Sequence, residues 1–339
     1  MAKPESSRLD QSSLRFGIIG AGQAASAHAE VLRALGHTIS GVASRRGSPR
    51  TGPFAERFGV EGVFEDWRAM LNEVPCDALI VAVSWDQMQS VSEGLVDCRL
   101  PCLLEKPLAL TSKAVRHLAE RLDPASVMVG YNRRFYEFLP TIKERLEKEP
   151  PRSIEINCPE PIDRLVQLQG EKIIDHMLLY MTSHWLDLVM YLVGDLHVRY
   201  IHRTRDGTGR HCLAYNGILE APSYDVPVHL SVNLGAPSQT AITISFSKSV
   251  WRMCPVERLT VFEGLRCVEP SPESPFRRYE PEVVHTSNVD ARFKPGFRGQ
   301  MAEFVDAVVL KSGKVRKGCT LDEAYRVTAL CERIAGVVE

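Results

Sequence analysis

The sequence lacks several features that would assign it to a specialised class of protein. Its nine cysteines are scattered, and none stands in the C-x-x-C spacing that holds zinc or exchanges disulfides. No apolar run reaches the ~18 residues that suggest a membrane span. The 41 basic and 42 acidic residues leave a net charge of −1, which provides no field for holding nucleic acid. We therefore expect a cytoplasmic chain with reduced thiols that binds a small molecule.

The 339 residues are enough for two domains. Residues 1–13 are polar, with no apolar segment or cleavage site, and predict a disordered leader rather than a signal peptide. Short apolar runs then alternate with amphipathic runs, which is typical of a parallel sheet covered by helices. This pattern predicts an α/β domain over 14–131. Its strands are expected at 14–19, 38–43, 78–83, 102–104 and 127–130, and its helices at 23–35, 53–58, 67–72, 87–96 and 112–121.

Residues 132–339 follow a different pattern. Helices are expected over 135–148 and 171–193, and strands then succeed one another without helices between them. Such an order favours an antiparallel sheet, so this part is predicted to be an α+β domain. A capping box at 320–323 opens the last helix. The remaining elements are expected as strands at 153–157, 198–202, 212–219, 226–234, 240–246 and 257–262, an exposed loop at 269–282, and helices at 299–310 and 321–337.

The strongest local motif is an apolar strand that runs into a glycine turn, RFGIIGAGQAA over residues 15–25. Gly20 permits the tight turn, Gly22 lets the backbone approach a pyrophosphate, and the small Ala25 lets the next helix pack closely. Phosphates would lie against free N–H groups at the positive end of the helix dipole. A plain tight turn is the alternative, but the strand and helix around it favour dinucleotide binding. The predicted cofactor contacts here are Gly20, Gly22, Gln23 and Ala24.

The residues after the second strand indicate which dinucleotide is bound. An NAD-binding domain usually has an acidic residue here for the ribose 2′-hydroxyl. This chain has Ser44, Arg45 and Arg46 instead, and guanidinium donors suit a 2′-phosphate. The sequence therefore favours NADP, with NAD as the alternative if the two arginines are solvated loop charges.

Several further motifs carry a family resemblance in their order and spacing. Glu105-Lys106-Pro107 follows the strand at 102–104, and the segment VGYNRRF covers 129–135. His184 and Asp187 form an H-x-x-D pattern, followed by LVG at 192–194, and a helix is expected near 297–309. Together these motifs resemble the glucose-fructose oxidoreductase, inositol dehydrogenase and MocA (Gfo/Idh/MocA) family over nearly the whole chain.

The resemblance implies a Rossmann domain followed by an α+β domain with an open, mainly antiparallel sheet, and an active site between them. Members transfer hydride between NAD(P) and a carbinol or ketone carbon of a sugar, cyclitol or nucleotide sugar. Lys106 would stabilise charge on the reacting oxygen and relay a proton, with His184 as its acid–base partner. Open sheets would pair face to face in a homodimer or homotetramer. Further cofactor contacts would come from Val83, Ser84, Trp85, Glu105 and Lys106.

The chain departs from the family pattern before the histidine. The family often has Asp four residues earlier, where this chain has Tyr180, one helical turn from His184. A phenol there would orient the imidazole or donate a proton, and Asp175 or His176 are alternatives as a substitute base. Because His176 and His184 lie about 12 Å apart along a helix, they cannot share one metal ion, and no metal site is predicted.

Three polar residues at the crossover, Asn132, Arg133 and Arg134, suit either an anionic substrate or a hinge between the domains. His28 is interpreted as a packed helix residue beside the cofactor turn. The predicted substrate contacts are Lys106, Asn132, Arg133, Tyr180 and His184.

Two functions from different classes remain open. The first is an NAD(P)-dependent sugar dehydrogenase or reductase with Lys106, His184 and Tyr180 as catalytic residues. The second is a catalytically silent member that binds the dinucleotide and regulates or recognises a partner. Tyr180 slightly favours the silent member, whereas the retained Glu105-Lys106-Pro107 and His184 favour the enzyme.

Overall fold

The structure is a computed structural model that describes residues 13–312 and 317–337, so the predicted leader lies outside the described residues except for Ser13. The first domain contains six parallel strands in the order β3-β2-β1-β4-β5-β6. Its elements are β1 Arg15–Ile19, α1 Gln23–Ala34, β2 Thr38–Ala43, α2 Thr51–Phe58, β3 Gly62–Phe64, α3 Trp67–Glu73, β4 Ala78–Val81, α4 Met88–Gly94, β5 Cys102–Leu104, α5 Ser112–Arg121 and β6 Val127–Val129.

The central strands of this sheet are buried on both faces, as the unbroken apolar runs predict. All four residues of β4 and all three of β5 and of β6 are buried. The predicted parallel α/β domain is confirmed. Strand β3 was not predicted, because its three residues are partly exposed and form no apolar run.

A 3-10 turn at Asn132–Phe135 leads into the second domain, whose eight-stranded sheet has the order β14-β13-β12-β11-β7-β10-β9-β8. Among the strands that the structure describes in this sheet, only β7 and β10 pair in parallel, so the predicted α+β domain with a mainly antiparallel sheet is confirmed. Its elements are α6 Leu139–Lys148, β7 Ser153–Glu160, α7 Ile162–Gln169, α8 Ser183–Val193, β8 His197–Arg205, β9 Cys212–Ala221, β10 Val226–Leu234, β11 Ala241–Ser245, β12 Ser249–Met253, β13 Arg258–Val268, β14 Arg278–Asn288, α9 Phe297–Glu303 and α10 Leu321–Ala335.

Two predictions for this domain are wrong. The single helix expected over 171–193 is divided into a 3-10 segment at Glu171–His176, a π turn at Leu178–Thr182, and α8. Side chains of other elements bond to the π turn, and a local helical pattern contains no sign of such contacts. The loop expected over 269–282 ends at β14, whose charged, exposed residues hide its pairing with β13.

The C-terminal helices return to the first domain and join the two. Helix α10 packs against both α5 and α8, and α9 packs against α1. The capping box of α10 is present, since Thr320 and Glu323 bond to each other's backbone N–H. All nine cysteines are free; four are buried, four are half-buried, and Cys267 is exposed. No helix in the described ranges is long and apolar enough to cross a membrane.

Candidate active site

The site lies at the carboxyl edge of the parallel sheet, where the loops after β1, β2, β4 and β5 meet. The strand order reverses between β1 and β4, and in such sheets this point opens a crevice for a ligand. The segments predicted to contact the cofactor follow these strands: Gly20–Ala24, Ser44–Arg46, Val83–Trp85 and Glu105–Lys106.

The glycine turn after β1 is tight at Gly20 and leaves open space at Gly22. Gly20 has φ +110°, and a Cβ there would lie 2.2 Å from the carbonyl oxygen of Ala82. Gly22 caps α1 without a side-chain bond, and a Cβ on it would meet nothing nearer than Nη1 of Arg50, at 3.8 Å. Free N–H groups of the first turn, including those of Gln23 and Ala24, are therefore open to phosphate oxygens.

The basic residues after β2 differ in their surroundings. The Ser44 hydroxyl bonds to the Thr51 hydroxyl. Arg46 pairs with Glu65, with 3.3 Å between Nε and Oε2, and both Arg45 and Arg46 are exposed. Arg50, which the sequence reasoning missed, lies beside Gly22 at the start of α2. Only the folded position of Arg50 brings it to the glycine turn.

Glu105 is buried against α1. Its Oε1 lies 2.8 Å from Nε2 of His28, which is fully buried, so the interpretation of His28 as a packed residue is confirmed. A Cβ at Gly130 would lie 2.8 Å from the Glu105 carboxylate, so only glycine leaves room for it. Burial raises the pKa of Glu105, but the bond to His28 and the cations Lys294 and Lys106 outweigh burial and lower it.

Lys106 reaches from the first domain to the second. Its ammonium donates a hydrogen bond to the carbonyl of Tyr180 and lies 5.2 Å from the centre of that tyrosine's ring. The peptide bond to Pro107 is cis. Burial lowers the pKa of Lys106 to about 8, with the positive charges of Lys294 and Arg133 adding to the effect. Lys106 can therefore release and accept a proton near neutral pH.

His184 follows the π turn and faces the same space. Its ring meets the ring of Tyr131 edge-on, with 5.8 Å between centroids. Nδ1 is buried and has no hydrogen-bond partner within the described part of the chain, so the Tyr180 phenol does not orient it through this atom. Burial, together with Lys106 and the nearby arginine and lysine, lowers the pKa of His184 well below its usual value. The imidazole is therefore neutral at pH 7.

Two further charged residues of the site, besides Arg50, were missed by sequence reasoning. Glu160, the last residue of β7, is 1% exposed and accepts a 2.9 Å hydrogen bond from the hydroxyl of Thr182. The only signal in the sequence was an acidic residue shortly after the strand expected at 153–157. Lys294 lies 4.5 Å from the ring centre of Phe297 and lowers the pKa of His184 and Lys106. It stands in a loop without a distinctive pattern.

The crossover residues have three different environments. The Asn132 amide donates to the carbonyl of Pro295 at 2.7 Å. Arg133 donates to Glu257 at 3.2 Å, and its buried Nε has no partner among the described residues. Arg134 is 2% exposed and binds Asp187 through both Nε and Nη2. The suggestion that Arg134 contacts an anionic substrate is therefore wrong, because its guanidinium is used inside the protein.

The rim of the crevice joins the two domains through aromatic rings. The rings of Trp85 and His176 lie 5.1 Å apart. Asp175, one of the alternatives for a substitute base, instead lies 2.9 Å from Nδ1 of His211. In the part of the chain that the structure describes, no group of three or more His, Cys, Asp or Glu side chains could hold a metal ion.

Comparison with known proteins agrees with this arrangement. Residues 14–133 match the model of a family described as "Oxidoreductase family, NAD-binding Rossmann fold", GFO_IDH_MocA. A myo-inositol 2-dehydrogenase of Thermotoga maritima is 27% identical over 54% of this chain and 55% of its own length, so the match spans about half of that relative. An inositol 2-dehydrogenase of Corynebacterium glutamicum is 25% identical over 96% of this chain and 93% of its own.

The fold extends over the whole chain in solved structures. UDP-N-acetylglucosamine 3-dehydrogenase GnnA from Acidithiobacillus ferrooxidans superposes with a TM-score of 0.74 over 96% of this chain and 98% of its own, at 16% identity. That likeness concerns the fold, whereas the match over 14–133 concerns the sequence of the domain that carries the glycine turn and Lys106. Residues 14–133 are therefore similar in sequence to the Gfo/Idh/MocA oxidoreductase family, and the whole chain shares its fold with the solved structure.

Proposed function

We propose that the protein is an NADP-dependent dehydrogenase or reductase that acts on a hydroxyl or ketone carbon of a sugar, cyclitol or nucleotide sugar. The observation that carries this proposal is the position of Lys106. Lys106 comes directly after β5 at the crevice, and its ammonium bonds to the carbonyl of Tyr180. The ammonium has a pKa of about 8, and its charge lowers the pKa of His184. The inositol dehydrogenase relatives support a polyhydroxylated substrate.

The residues of the site have different proposed roles in such a reaction. The glycine turn of Gly20 and Gly22 would hold a nicotinamide dinucleotide, which would supply or take up the hydride. Lys106, as an ammonium, stabilises negative charge on the reacting oxygen and supplies its proton during reduction, or accepts it during oxidation. His184, neutral at pH 7, is the proposed partner of Lys106 in that proton exchange. Asn132, Arg133 and Tyr180 complete the proposed set of substrate contacts, with Tyr180 kept as a candidate proton donor.

The catalytic proposal is tested with Lys106→Met. This variant keeps the length of the side chain and removes its charge, so we expect NADPH binding to remain and turnover to fall by about two orders of magnitude or more. Lys113→Met, at an exposed site in α5, is the matched control. Oxidation of NADPH is followed by absorbance with a panel of keto sugars and keto cyclitols. Undiminished turnover in Lys106→Met would remove the proposal.

The preference for NADP rests on Arg45 and Arg50. Arg45 is exposed after β2 and Arg50 lies beside Gly22, whereas Arg46 pairs with Glu65 and is proposed to contribute less. We expect tighter binding of NADPH than of NADH. Arg45→Ala and Arg50→Ala should each reduce that preference about tenfold, a loss of ~1.4 kcal/mol. Arg46→Ala is the control, and titration calorimetry gives the affinities. Equal affinities in the parent protein would contradict the NADP assignment.

The silent regulatory alternative gains no support from these observations. Assembly into a homodimer or homotetramer through the outer face of the second sheet is proposed on the exposure of apolar residues there, including Tyr200 and Ile218. The cytoplasmic location stays a prediction.

A further inference from the structure

Glu160 is a buried carboxyl group to which the family pattern gives no role. It is 1% exposed at the end of β7, and within the described ranges it forms no ion pair shorter than 4 Å. The hydroxyl of Thr182 donates to it at 2.9 Å. A carboxyl placed so deeply needs a physical reason, because burying a charge without a partner is costly.

The π turn at Leu178–Thr182 connects Glu160 with Lys106. Lys106 donates to the carbonyl of Tyr180, and Glu160 accepts from the hydroxyl of Thr182, two residues further along the same turn. Lys106 and Glu160 therefore both bond to the same turn, Lys106 as a donor and Glu160 as an acceptor. This turn also carries the position where the family often has an aspartate and this chain has Tyr180.

We propose that Glu160 is a positioning residue for Lys106: its carboxylate, held by Thr182, keeps the Lys106 ammonium charged and seated on the carbonyl of Tyr180. The negative charge that the chain lacks at position 180 is thereby supplied from β7. The role of this arrangement in proton transfer rests on the proposed function, whereas the effect of Glu160 on the charge of Lys106 does not.

The charges around Glu160 and Lys106 allow the carboxylate and the ammonium to exist together near neutral pH. Burial raises the pKa of Glu160 to about 7, against the bond from Thr182, the charge of Lys106 and the indole of Trp185. Lys106, with a pKa of about 8, faces the carboxylates Glu105 and Glu160. The cations facing Lys106 are Lys294 and Arg133, and the thiols are Cys158 beside Glu160 and Cys331 beside Lys106.

The signs of the two shifts define a pH window. Between pH of about 7 and about 8, Glu160 is ionised and Lys106 is protonated, so both charges exist together. Below that window the carboxyl takes up a proton and its support for the ammonium is lost. Loss of the carboxylate lowers the pKa of Lys106, because the negative charge of Glu160 favours the ammonium form.

The test measures the ionisation of Lys106 directly. Trace labelling with acetic anhydride across a pH series, followed by mass spectrometry of the Lys106 peptide, gives the fraction of neutral amine without any substrate. We expect Glu160→Gln to lower the labelling midpoint by about one pH unit. Glu155→Gln, at an exposed site on the same strand, is the matched control and should leave the midpoint unchanged. Equal midpoints in Glu160→Gln and the parent protein would overturn the proposal.

A second variant covers the case in which Glu160→Gln does not fold. Thr182→Val keeps the shape of the side chain and both charges but removes the hydroxyl that stabilises the carboxylate. It should lower the Lys106 midpoint in the same direction, and an unchanged midpoint counts against the proposal. In turnover assays, the part of the pH–rate profile that depends on ionisation of Lys106 should shift in the same direction as the labelling midpoint. Absence of any turnover in the parent protein would contradict the proposed function and leave the labelling result standing.

Discussion

The adjacent arginines Arg133 and Arg134 show how strongly the surroundings of a single residue determine its use. Arg134 binds Asp187 with both groups almost fully buried. Arg133, one position earlier, lies 5.0 Å from the ring of Trp185 and lowers the pKa of Lys106 and His184. The guanidinium of Arg134 is therefore part of the protein interior, whereas that of Arg133 is part of the candidate site.

We predict that breaking the buried pair destabilises the protein. Arg134→Met leaves Asp187 buried without its partner, which costs about 3–5 kcal/mol. Asp187→Leu leaves Arg134 paired with Glu323 alone, at 2.9 Å, and should cost less. The double variant removes both charges and should recover most of that loss. Urea unfolding followed by circular dichroism measures the free energies of unfolding. Single variants within ~1 kcal/mol of the parent protein would show that the pair contributes no such penalty.

Glu160 gives a prediction about stability and pH. Its pKa is about 7 in the folded protein and 4.5 in an unperturbed chain, so the unfolded state loses this proton first. Stability therefore falls as pH rises from about 4.5 to about 7. Glu160→Gln removes this loss and should gain about 2–3 kcal/mol on the parent protein across that interval. Unfolding at a series of pH values measures the difference, and a constant difference would contradict the assignment.

The site residues that the sequence could predict are those whose chemistry follows from local order. The glycine turn, Lys106 and His184 stand in short motifs with fixed spacing. Glu160, Arg50 and Lys294 reach the site only through folding of distant segments, and no motif surrounds them. Sequence motifs therefore predict candidate residues that are close together in the chain, but not those that distant segments bring to the site.

At the level of elements, the two glycines of the turn between β1 and α1 are predicted to have different roles. Gly20 is needed for the backbone conformation, and Gly22 is needed for ligand binding. Gly20→Ala would place a Cβ 2.2 Å from a backbone oxygen at φ +110°, so we expect loss of both stability and NADPH binding. Gly22→Ala meets no atom closer than 3.8 Å in the protein alone. It should change the free energy of unfolding by less than ~1 kcal/mol and still block approach of the phosphates. Thermal unfolding and fluorescence titration distinguish the two, and unimpaired binding by Gly22→Ala would contradict the pyrophosphate position.

The predicted elements were most accurate where one face or both faces are buried. Strands β2, β5 and β10 have the predicted bounds because their apolar patterns end where burial ends. Strand β14 is exposed along almost its whole length and follows no apolar pattern. The π turn accepts a hydrogen bond from Lys106 and donates one to Glu160, and both residues lie in other parts of the chain. Local pattern thus predicts packing against a core, but not contacts made by one side chain.

For the whole molecule, the outer face of the second sheet is open in the single chain. A row of residues crosses four neighbouring strands on this face, and their order is Tyr200, Ile218, His229 and Glu155. Tyr200 is 61% exposed and Ile218 is 40% exposed. With a net charge of −1, long-range repulsion between copies is small. These features suit burial of the face against a second copy.

We therefore predict that the protein forms a dimer or tetramer and that this face holds it together. The double variant Tyr200→Lys/Ile218→Lys places two ammonium groups in each copy of the interface and should convert the assembly to monomers, because unpaired charges are costly to bury. Val63→Lys is the control, since Val63 is 50% exposed on β3 of the other sheet. Sedimentation equilibrium measures the mass. A monomeric parent protein, or a double variant with the parent's mass, would show that the outer face does not mediate assembly.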